Sequence, residues 1–220
     1  GTMVVRESLW PPVASLYDGV RDERAPGGAL SAAKVATAAV PVPGSAARQI
    51  TYVEAIAEVT GRWLERDPRV VVLGEEVANF GGGAYAATRG LPRRFPDRVV
   101  NTPISEAGFA GLACGAAMNG MRPIVEIMFS SFALVAADQL FNQAGQLGYI
   151  YGGEARVPLV ARTRVAIGLG YGAQHSMDPA SLFAQFPGWR VAAPSNAYDY
   201  AGLFNAATVT YTAATTNATN

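Results

Sequence analysis

The sequence predicts an α/β fold with a doubly wound, mostly parallel sheet and helices on both faces. Between Ile50 and about Ala207, short apolar segments alternate with segments of helical period. This alternation is typical of parallel sheets built from strand–helix–strand units. The first apolar segment, 69–74, is continuous from 70 to 73 and closes on a glycine, as expected for a strand buried on both faces.

A capping box predicts the start of the first helix of the domain. Thr51 precedes Glu54 by three residues, so the two side chains can each bond the other's backbone N–H. Helical spacing of apolar and small residues continues to Asp67-Pro68, where proline ends it. The residues that follow this spacing are Val53, Ile56, Ala57, Thr60, Trp63 and Leu64.

The later elements follow in a regular order. After strand 69–74 comes a glycine-rich loop over 79–84, and then a helical stretch to Phe95. The remaining predicted strands span 99–101, 123–127, 157–162 and 189–193. The remaining predicted helices run from about 104, over 132–147, over 178–185 and over 197–207.

Composition divides the chain into three stretches. Residues 1–48 mix Pro, Gly, Ala and Ser without a sustained period, which predicts a linker or N-terminal arm. Residues 49–207 form the predicted folded domain. Residues 208–220 are mostly Thr, Ala and Asn and carry no charge, so they form an unpatterned tail after which a C-terminal domain is expected to be missing.

Charge and cysteine content narrow the class of protein. The 220 residues include 17 basic and 17 acidic side chains, so nothing favours a nucleic-acid or membrane partner. No apolar run is long enough to span a bilayer. The single cysteine, Cys114, fits a reducing compartment and is predicted to fill the core rather than act as a nucleophile. We therefore expect a cytoplasmic protein of the bacterial type.

Glu106 is the candidate catalytic residue. It stands where a short strand turns into a helix of small residues, 107–120, which can be stable only if it packs closely. Close packing would bury the carboxylate at the start of the helix. An acidic residue there also complements the helix dipole, and this purely structural interpretation stays open.

The predicted topology brings further residues towards Glu106. In parallel α/β sheets, ligands bind outside the carboxyl ends of the strands. The loops after Leu73, Asn101, Ile127 and Arg162 should share that edge, which would bring together Glu75, Glu106, residues 129–132 and His175. His175, the only histidine, is either an acid–base group there or a merely structural residue.

Other motifs give weaker signals. Gly81-Gly82-Gly83 does not form a dinucleotide-binding fingerprint, and the sequence has no phosphate-binding loop motif, so a flexible loop is predicted there. One histidine and one cysteine make a zinc site improbable, and no metal ligand is predicted.

Five runs of sequence, in order and spacing, resemble the beta subunit of the thiamine-diphosphate-dependent 2-oxo acid dehydrogenases, the pyruvate and branched-chain enzymes. The resemblance covers about residues 49–207 and implies the pyrimidine-binding domain of the thiamine-diphosphate fold. The runs are Val72-Leu73-Gly74-Glu75-Glu76-Val77, Asn101 to Phe109 (Asn-Thr-Pro-Ile-Ser-Glu-Ala-Gly-Phe), Arg122 to Phe129 (Arg-Pro-Ile-Val-Glu-Ile-Met-Phe), Asp138 to Ala144 (Asp-Gln-Leu-Phe-Asn-Gln-Ala) and Gly172-Ala173-Gln174-His175-Ser176.

The resemblance implies roles for particular residues. Glu106 would hydrogen-bond a ring nitrogen of the cofactor's aminopyrimidine and so activate the cofactor for decarboxylation of a 2-oxo acid. Phe132 would stack on the pyrimidine, while Glu75 and Ile104 would line its pocket. His175 would assist proton transfer and passage of the acyl group to a lipoyl group.

The resemblance also implies partners. The GDG motif that anchors the diphosphate through Mg²⁺ is absent, so an alpha-type subunit or domain would hold the metal, and the chain would be active only in such a complex. A heterotetramer with a second copy of the chain, and a lipoylated acyltransferase, are implied as well. The N-terminal arm resembles the connector of fused alpha–beta chains.

Two alternatives stay open at this stage. One is a transketolase-like or acyloin-forming carboligase component, and the other is a non-catalytic assembly subunit with the same fold. After His175 the sequence reads Ser-Met-Asp-Pro instead of the commoner Ser-Gln. Neither the 2-oxo acid nor the acyl acceptor is identified by the sequence.

Overall fold

A four-stranded parallel sheet forms the centre of the domain in this computed structural model. The structure describes residues 3–5 and 48–216. The central strands are β3 (Val70–Gly74), β4 (Val99–Asn101), β5 (Arg122–Ile127) and β6 (Val160–Thr163), in the order β4-β3-β5-β6. A separate antiparallel pair joins β1 (Met3–Val5) to β2 (Arg48–Ile50); the rest of the predicted N-terminal arm lies outside the described residues.

Helices and helical turns connect the strands. The α-helices are α1 (Tyr52–Arg66), α2 (Leu91–Arg94), α3 (Glu106–Met118), α4 (Gly145–Ile150), α5 (Ala180–Phe183) and α6 (Ala197–Thr216). Ser130–Leu134 and Ala173–His175 are 3₁₀ turns, and Asp138–Ala144 is a π-helix. No helix of the described residues is long and apolar enough to cross a membrane.

Both faces of the sheet are covered, which confirms the doubly wound arrangement. Because side chains alternate along a strand, Val71 and Leu73 of β3 enter a core with α3 and the π-helix. Val70 and Val72 enter a second core with α1 and α6. Strand β5 divides in the same way. A strand that is apolar at every position is therefore required here, and all five residues of β3 are buried.

The strand order creates a switch point between β3 and β5. The chain moves from β3 outwards to β4, and α3 then carries it back across to β5 on the other side of β3. At such a reversal the loops leave the carboxyl edge in opposite directions and open a crevice, where doubly wound folds bind ligands.

The predicted capping box is present at the start of α1. Glu54 N donates to Thr51 Oγ1 at 3.2 Å, and Thr51 N donates to Glu54 Oε2 at 2.7 Å. The helix ends at Arg66, directly before Asp67-Pro68. Its predicted start and end are confirmed, because capping chemistry and proline act locally.

Three predicted helices differ from the structure. The stretch to Phe95 is helical only over 91–94, because Ala86 and Gly90 adopt left-handed φ values of 59° and 76°. The helix over 132–147 is divided into 3₁₀, π and α segments. Trp189 Nε1 donates a hydrogen bond to Leu140 O at 2.7 Å, so a side chain joins the backbone hydrogen bonds of this helix. The helix over 178–185 shortens to α5.

Two predicted strands also differ. The strand over 157–162 begins only at Val160, because Pro158 has no N–H and Leu159 N closes a tight turn on Val157 O at 2.9 Å. The strand over 189–193 is wrong: among the residues described, this segment joins no sheet, and Trp189 N donates to Phe186 O in a turn.

The last helix is longer than predicted. The helix expected over 197–207 continues to Thr216, so the first part of the predicted tail is helical and only 217–220 lie outside the described residues.

Gly74 is the point of closest approach between β3 and β5. A Cβ added there would lie 2.5 Å from Glu126 O and 2.9 Å from Glu126 Cβ. We expect Gly74→Ala to lower the free energy of unfolding by about 2 kcal/mol, because backbone atoms of a paired strand cannot move aside cheaply. Urea denaturation measures the change.

Gly115→Ala in α3 is the matched control. A Cβ added there meets nothing within 4 Å, and alanine is about 1 kcal/mol better than glycine in a helix interior. This variant should be as stable as the wild type or more so. Equal loss in both variants would show that Gly74 has no special role in the β3–β5 approach.

Candidate functional site

Two buried carboxyl groups meet at the carboxyl edge of the sheet. Glu75 directly follows β3, and Glu106 is the first residue of α3. Each is only 6% exposed, and the two side chains lie close enough that the charge of Glu106 raises the pKa of Glu75. Buried acids are rare unless they are paired, so this pair marks the edge as a site that the fold brings together from two separate loops.

Backbone geometry directs both residues to the same place. The absence of a side chain at Gly74 lets β3 run against Glu126, and Glu76 turns the chain with a left-handed φ of 61°. Thr102 N donates to Gly74 O at 3.0 Å, and Asn101 Oδ1 accepts a hydrogen bond from Ala78 N at 2.6 Å. The exits of β3 and β4 are thereby tied together.

Burial changes the proton affinity of Glu75. Removal from water raises its pKa to about 7, and the nearby charges of Glu106 and Glu76 act in the same direction. Its Oε1 is buried and has no hydrogen-bond partner within the described chain. Glu75 therefore keeps its proton up to about neutral pH, and its unpartnered Oε1 can accept a hydrogen bond from a ligand.

A cluster of aromatic rings occupies the other half of the edge. Phe129, just after β5, is its centre and is 6% exposed. The His175 ring centroid lies 4.2 Å from that of Phe129 and 5.3 Å from that of Phe132, both at interplanar angles of 75°. Tyr85 and Tyr171 contact Phe129 edge-on at 5.7 and 5.9 Å.

Ser130 holds the loops of this cluster together. It is fully buried; its backbone N–H donates to Arg164 O at 3.0 Å, and its hydroxyl donates to Met177 O at 2.5 Å. The first bond extends the β5–β6 pairing past the end of the sheet. The second attaches the segment that follows His175. One small polar residue thus fixes the histidine loop against β5.

A small cavity joins the two halves. Its lining includes Glu75, Tyr85, Glu126 and Met128, and the ring of Tyr85 also contacts Phe129. The acidic pair and the aromatic cluster therefore belong to one continuous edge, at the switch point between β3 and β5.

The structure places the predicted site residues in two groups. Glu75 and Glu106 form the acidic pair, and Phe132 and His175 lie together in the aromatic cluster. Ile104 lies at the same edge, in the loop between β4 and α3, with 84% of its surface exposed. Their functional roles stay predictions.

Sequence reasoning did not identify Tyr85 or Arg164 at this edge, and it included Ser130 only as part of the loop 129–132. Tyr85 and Arg164 contact each other from distant parts of the chain, and neither lies in a motif with known spacing. Arg164 follows the predicted strand 157–162, so the rule of the carboxyl edge could have identified it.

The other sequence motifs have structural roles. Gly82 lets its backbone approach that of Arg89 closely, since a Cβ there would lie 2.3 Å from backbone atoms of Arg89. Thr88 Oγ1 donates a hydrogen bond to Val77 O at 2.6 Å. The glycine-rich segment is therefore a folded series of turns. Cys114 is buried and burial raises its pKa to about 11, which confirms it as a core residue. Among the described residues, no cluster of His, Cys, Asp or Glu could hold a metal ion.

The fold and the edge together define a class: a doubly wound domain that presents a buried acid pair and aromatic rings at its switch point. Comparison with known families gives the same answer. Residues 48–215 match the family described as transketolase, pyrimidine binding domain, and the chain belongs to it.

The sequence is also similar to curated beta subunits, which confirms the predicted resemblance. It is 46% identical over 156 residues to the pyruvate dehydrogenase E1 component subunit beta of Rickettsia bellii, covering 70% of this chain and 48% of the relative. It is 45% identical over 163 residues to the mitochondrial human subunit, covering 74% and 45%. The chain spans about half the length of the curated relatives it matches.

Two further similarities extend the comparison. The beta subunit of acetoin:2,6-dichlorophenolindophenol oxidoreductase from Cupriavidus necator is 41% identical over 166 residues, covering 71% of this chain and 49% of the relative. A solved structure described as a split-gene transketolase, inactive beta4 tetramer, aligns with a TM-score of 0.58 at 22% identity, covering 73% of this chain and 48% of that one. The latter confirms the fold.

The raised pKa of Glu75 predicts a pH-dependent stability. The folded chain keeps a proton that the unfolded chain releases above pH 4.5, so the free energy of unfolding falls as pH rises from about 4.5 to 7. We expect a fall of up to about 3 kcal/mol from this group. In Glu75→Gln this component should vanish, as measured by urea denaturation across pH 4 to 8.

Glu154→Gln serves as the control for this series, because Glu154 is exposed. It should show the pH profile of the wild type. Parallel profiles for the wild type and Glu75→Gln would contradict a perturbed Glu75.

The position of Ser130 predicts a second effect. Ser130→Ala leaves Met177 O without its donor and should cost about 1–2 kcal/mol of unfolding free energy. Amide hydrogen exchange in segment 172–177 should become faster than in the wild type. Ser131→Ala is the matched control, because the buried Ser131 hydroxyl has no partner in the described structure; unchanged exchange in both variants would rule out the anchoring role.

Proposed function

We propose that this chain is the beta-type component of a thiamine-diphosphate-dependent 2-oxo acid dehydrogenase, which decarboxylates a 2-oxo acid and passes on its acyl group. The observation that carries the proposal is the buried Glu75–Glu106 pair at the switch point of a pyrimidine-binding domain. The similarity to pyruvate dehydrogenase E1 beta subunits supports the 2-oxo acid as substrate class.

The edge fits one end of the proposed cofactor. Two adjacent carboxyl groups, of which Glu75 keeps its proton up to about neutral pH, would suit a weakly basic ring nitrogen, and the unpartnered Oε1 of Glu75 can accept a hydrogen bond from an amino group. The exposed Ile104 and the half-buried Phe132 offer apolar and aromatic surface to a flat ring. When bound, thiamine diphosphate would supply the electron sink that the loss of carbon dioxide requires.

The residues of the site would then have separate roles in the reaction. Glu106 would hold the proton at the ring nitrogen, and Glu75 would keep that carboxyl group in a buried, proton-sharing environment. His175, packed between Phe129 and Phe132, would donate or accept a proton at the reacting edge. The aromatic cluster would limit the access of water to these groups.

The site also requires a second protein surface. Ile104, Phe80 and Tyr171 expose large apolar areas around the edge, and such exposure is typical of interfaces. We propose that an alpha-type subunit or domain covers the edge and holds the diphosphate with Mg²⁺. A second copy of the chain would complete a heterotetramer, and a lipoylated acyltransferase would accept the acyl group.

A second candidate is a transketolase-like or acyloin-forming carboligase component of the same cofactor class. It is favoured by the similarity to the acetoin oxidoreductase beta subunit. Dependence of turnover on a lipoylated protein separates the two candidates, since an acyloin carboligase needs no such acceptor.

Glu106→Gln tests the main proposal in the complex assembled with an alpha-type partner. We expect decarboxylation to fall by at least about 10³-fold, because the amide cannot share a proton with the ring nitrogen. Release of carbon dioxide from a panel of 2-oxo acids measures this.

Glu154→Gln, which changes an exposed carboxylate, should keep full activity and serves as the control. Thiamine diphosphate with Mg²⁺ should also raise the melting temperature of the wild-type complex but not of the chain alone. Full activity of Glu106→Gln would contradict the proposed role of Glu106. No thermal shift in the complex would favour a non-catalytic assembly subunit.

A further inference from the structure

Arg164 holds a positive charge at the same edge. It is the first residue after β6, and its backbone oxygen accepts the hydrogen bond from Ser130 N. Its guanidinium carbon lies 4.1 Å from the ring centroid of Tyr85 and 5.9 Å from that of Tyr171. Two tyrosine rings from separate loops thus cover the guanidinium, which is half-buried.

This arginine forms no ion pair with any carboxylate in the part of the chain that the structure describes. Other arginines near the sheet do: Arg162 pairs with Glu126, and Arg69 pairs with Asp67. A guanidinium has five N–H donors in one plane. The ring of Tyr85 lies 4.1 Å and that of Tyr171 5.9 Å from the guanidinium carbon. Most of the donors remain for a ligand.

The charge lies close to the proposed reaction centre. Phe129 contacts both Tyr85 and Tyr171, and it also contacts His175 at 4.2 Å between centroids. The ring of Tyr171 lies 6.5 Å from that of His175. A molecule held by Arg164 would therefore lie near the aromatic cluster that contains the histidine.

We propose that Arg164, with Tyr85 and Tyr171, forms a subsite that binds a carboxylate of the substrate. This inference rests on the proposed function and specifies how the substrate is recognised. A planar guanidinium held against an aromatic ring is suited to carboxylates, because its edge can donate two parallel hydrogen bonds.

Two carboxylates could occupy the subsite. One is the group at C1 of every 2-oxo acid, which leaves as carbon dioxide; the other is a second carboxylate that stays on the substrate. Binding of the leaving group stabilises the ground state and fades as the charge departs, so it lowers KM without raising kcat. Binding of a second carboxylate lasts through the reaction and selects dicarboxylic substrates.

The test uses Arg164→Gln in the complex with its alpha-type partner. Steady-state kinetics are measured with pyruvate, with 2-oxoglutarate as a dicarboxylic 2-oxo acid, and with acetoin as a neutral compound. We expect KM for a 2-oxo acid to rise about tenfold or more, as for a lost charge-assisted hydrogen bond. KM for acetoin should stay within about twofold, because it has no carboxylate.

The pattern of the change identifies the carboxylate. A higher KM for pyruvate with kcat unchanged or raised assigns the subsite to the leaving group, whereas a change confined to 2-oxoglutarate assigns it to the second carboxylate. Arg164→Lys keeps the charge but loses the planar stacking, so its effect should be intermediate. Arg89→Gln changes an exposed arginine four residues after Tyr85. Its kinetics should match those of the wild type. No change with either acid, or an equal change with acetoin, overturns the proposal.

A binding measurement separates this inference from the proposed function. Pyruvate and 2-oxoglutarate are titrated by calorimetry into the complex without thiamine diphosphate. At least one should bind to the wild type and to Arg89→Gln, and about tenfold more weakly to Arg164→Gln. Such binding without any turnover would retain the subsite and reject the proposed reaction. Equal affinity in all three proteins, or no binding to any, overturns the subsite.

Discussion

A buried ion pair between neighbouring parallel strands holds the central sheet in the register on which the site depends. Glu126 of β5 and Arg162 of β6 are register partners and form a salt bridge with little exposure. Arg162 also donates to Thr60 Oγ1 of α1 at 2.9 Å. Burial alone would lower the pKa of Arg162, but the combined interactions with Glu126 and Tyr200 outweigh it and raise the pKa. Loss of either partner would leave a buried charge, at a cost of about 3–5 kcal/mol.

This register explains why two chemically different surfaces share one edge. With Glu126 opposite Arg162, the two strands leave the sheet so that Ser130 N reaches Arg164 O. The same strand β5 approaches Gly74 on its other side, which directs Glu75 inwards. The acidic pair therefore forms on the β3 side of β5, and the aromatic cluster with its arginine forms on the β6 side. A ligand that lies across β5 would meet the two buried acids at one end and the cation of Arg164 at the other.

The sequence predicted the parts of this structure that local chemistry controls. The capping box at Thr51 defined α1, and the continuous apolar run of β3 identified a strand buried on both faces. The strand expected at 189–193 failed because a strand needs a partner, which no local pattern supplies. At the site, the strand-to-helix turn was enough to find Glu106, and the carboxyl-edge rule found Glu75. Tyr85 and Arg164 were missed because their contact joins residues 79 positions apart through loops without a regular period.

The acidic pair favours the binding of a hydrogen-bond donor at this edge of the sheet. In the isolated chain, Oε1 of Glu75 is buried without a partner, and such a group costs about 1–3 kcal/mol. A ligand N–H placed there would remove that cost, so part of the binding free energy would come from relief of a defect in the unbound fold. The raised pKa of Glu75 has the same origin, because burial disfavours its charge. The same burial therefore both destabilises the unbound site and favours a ligand that donates a hydrogen bond to Glu75.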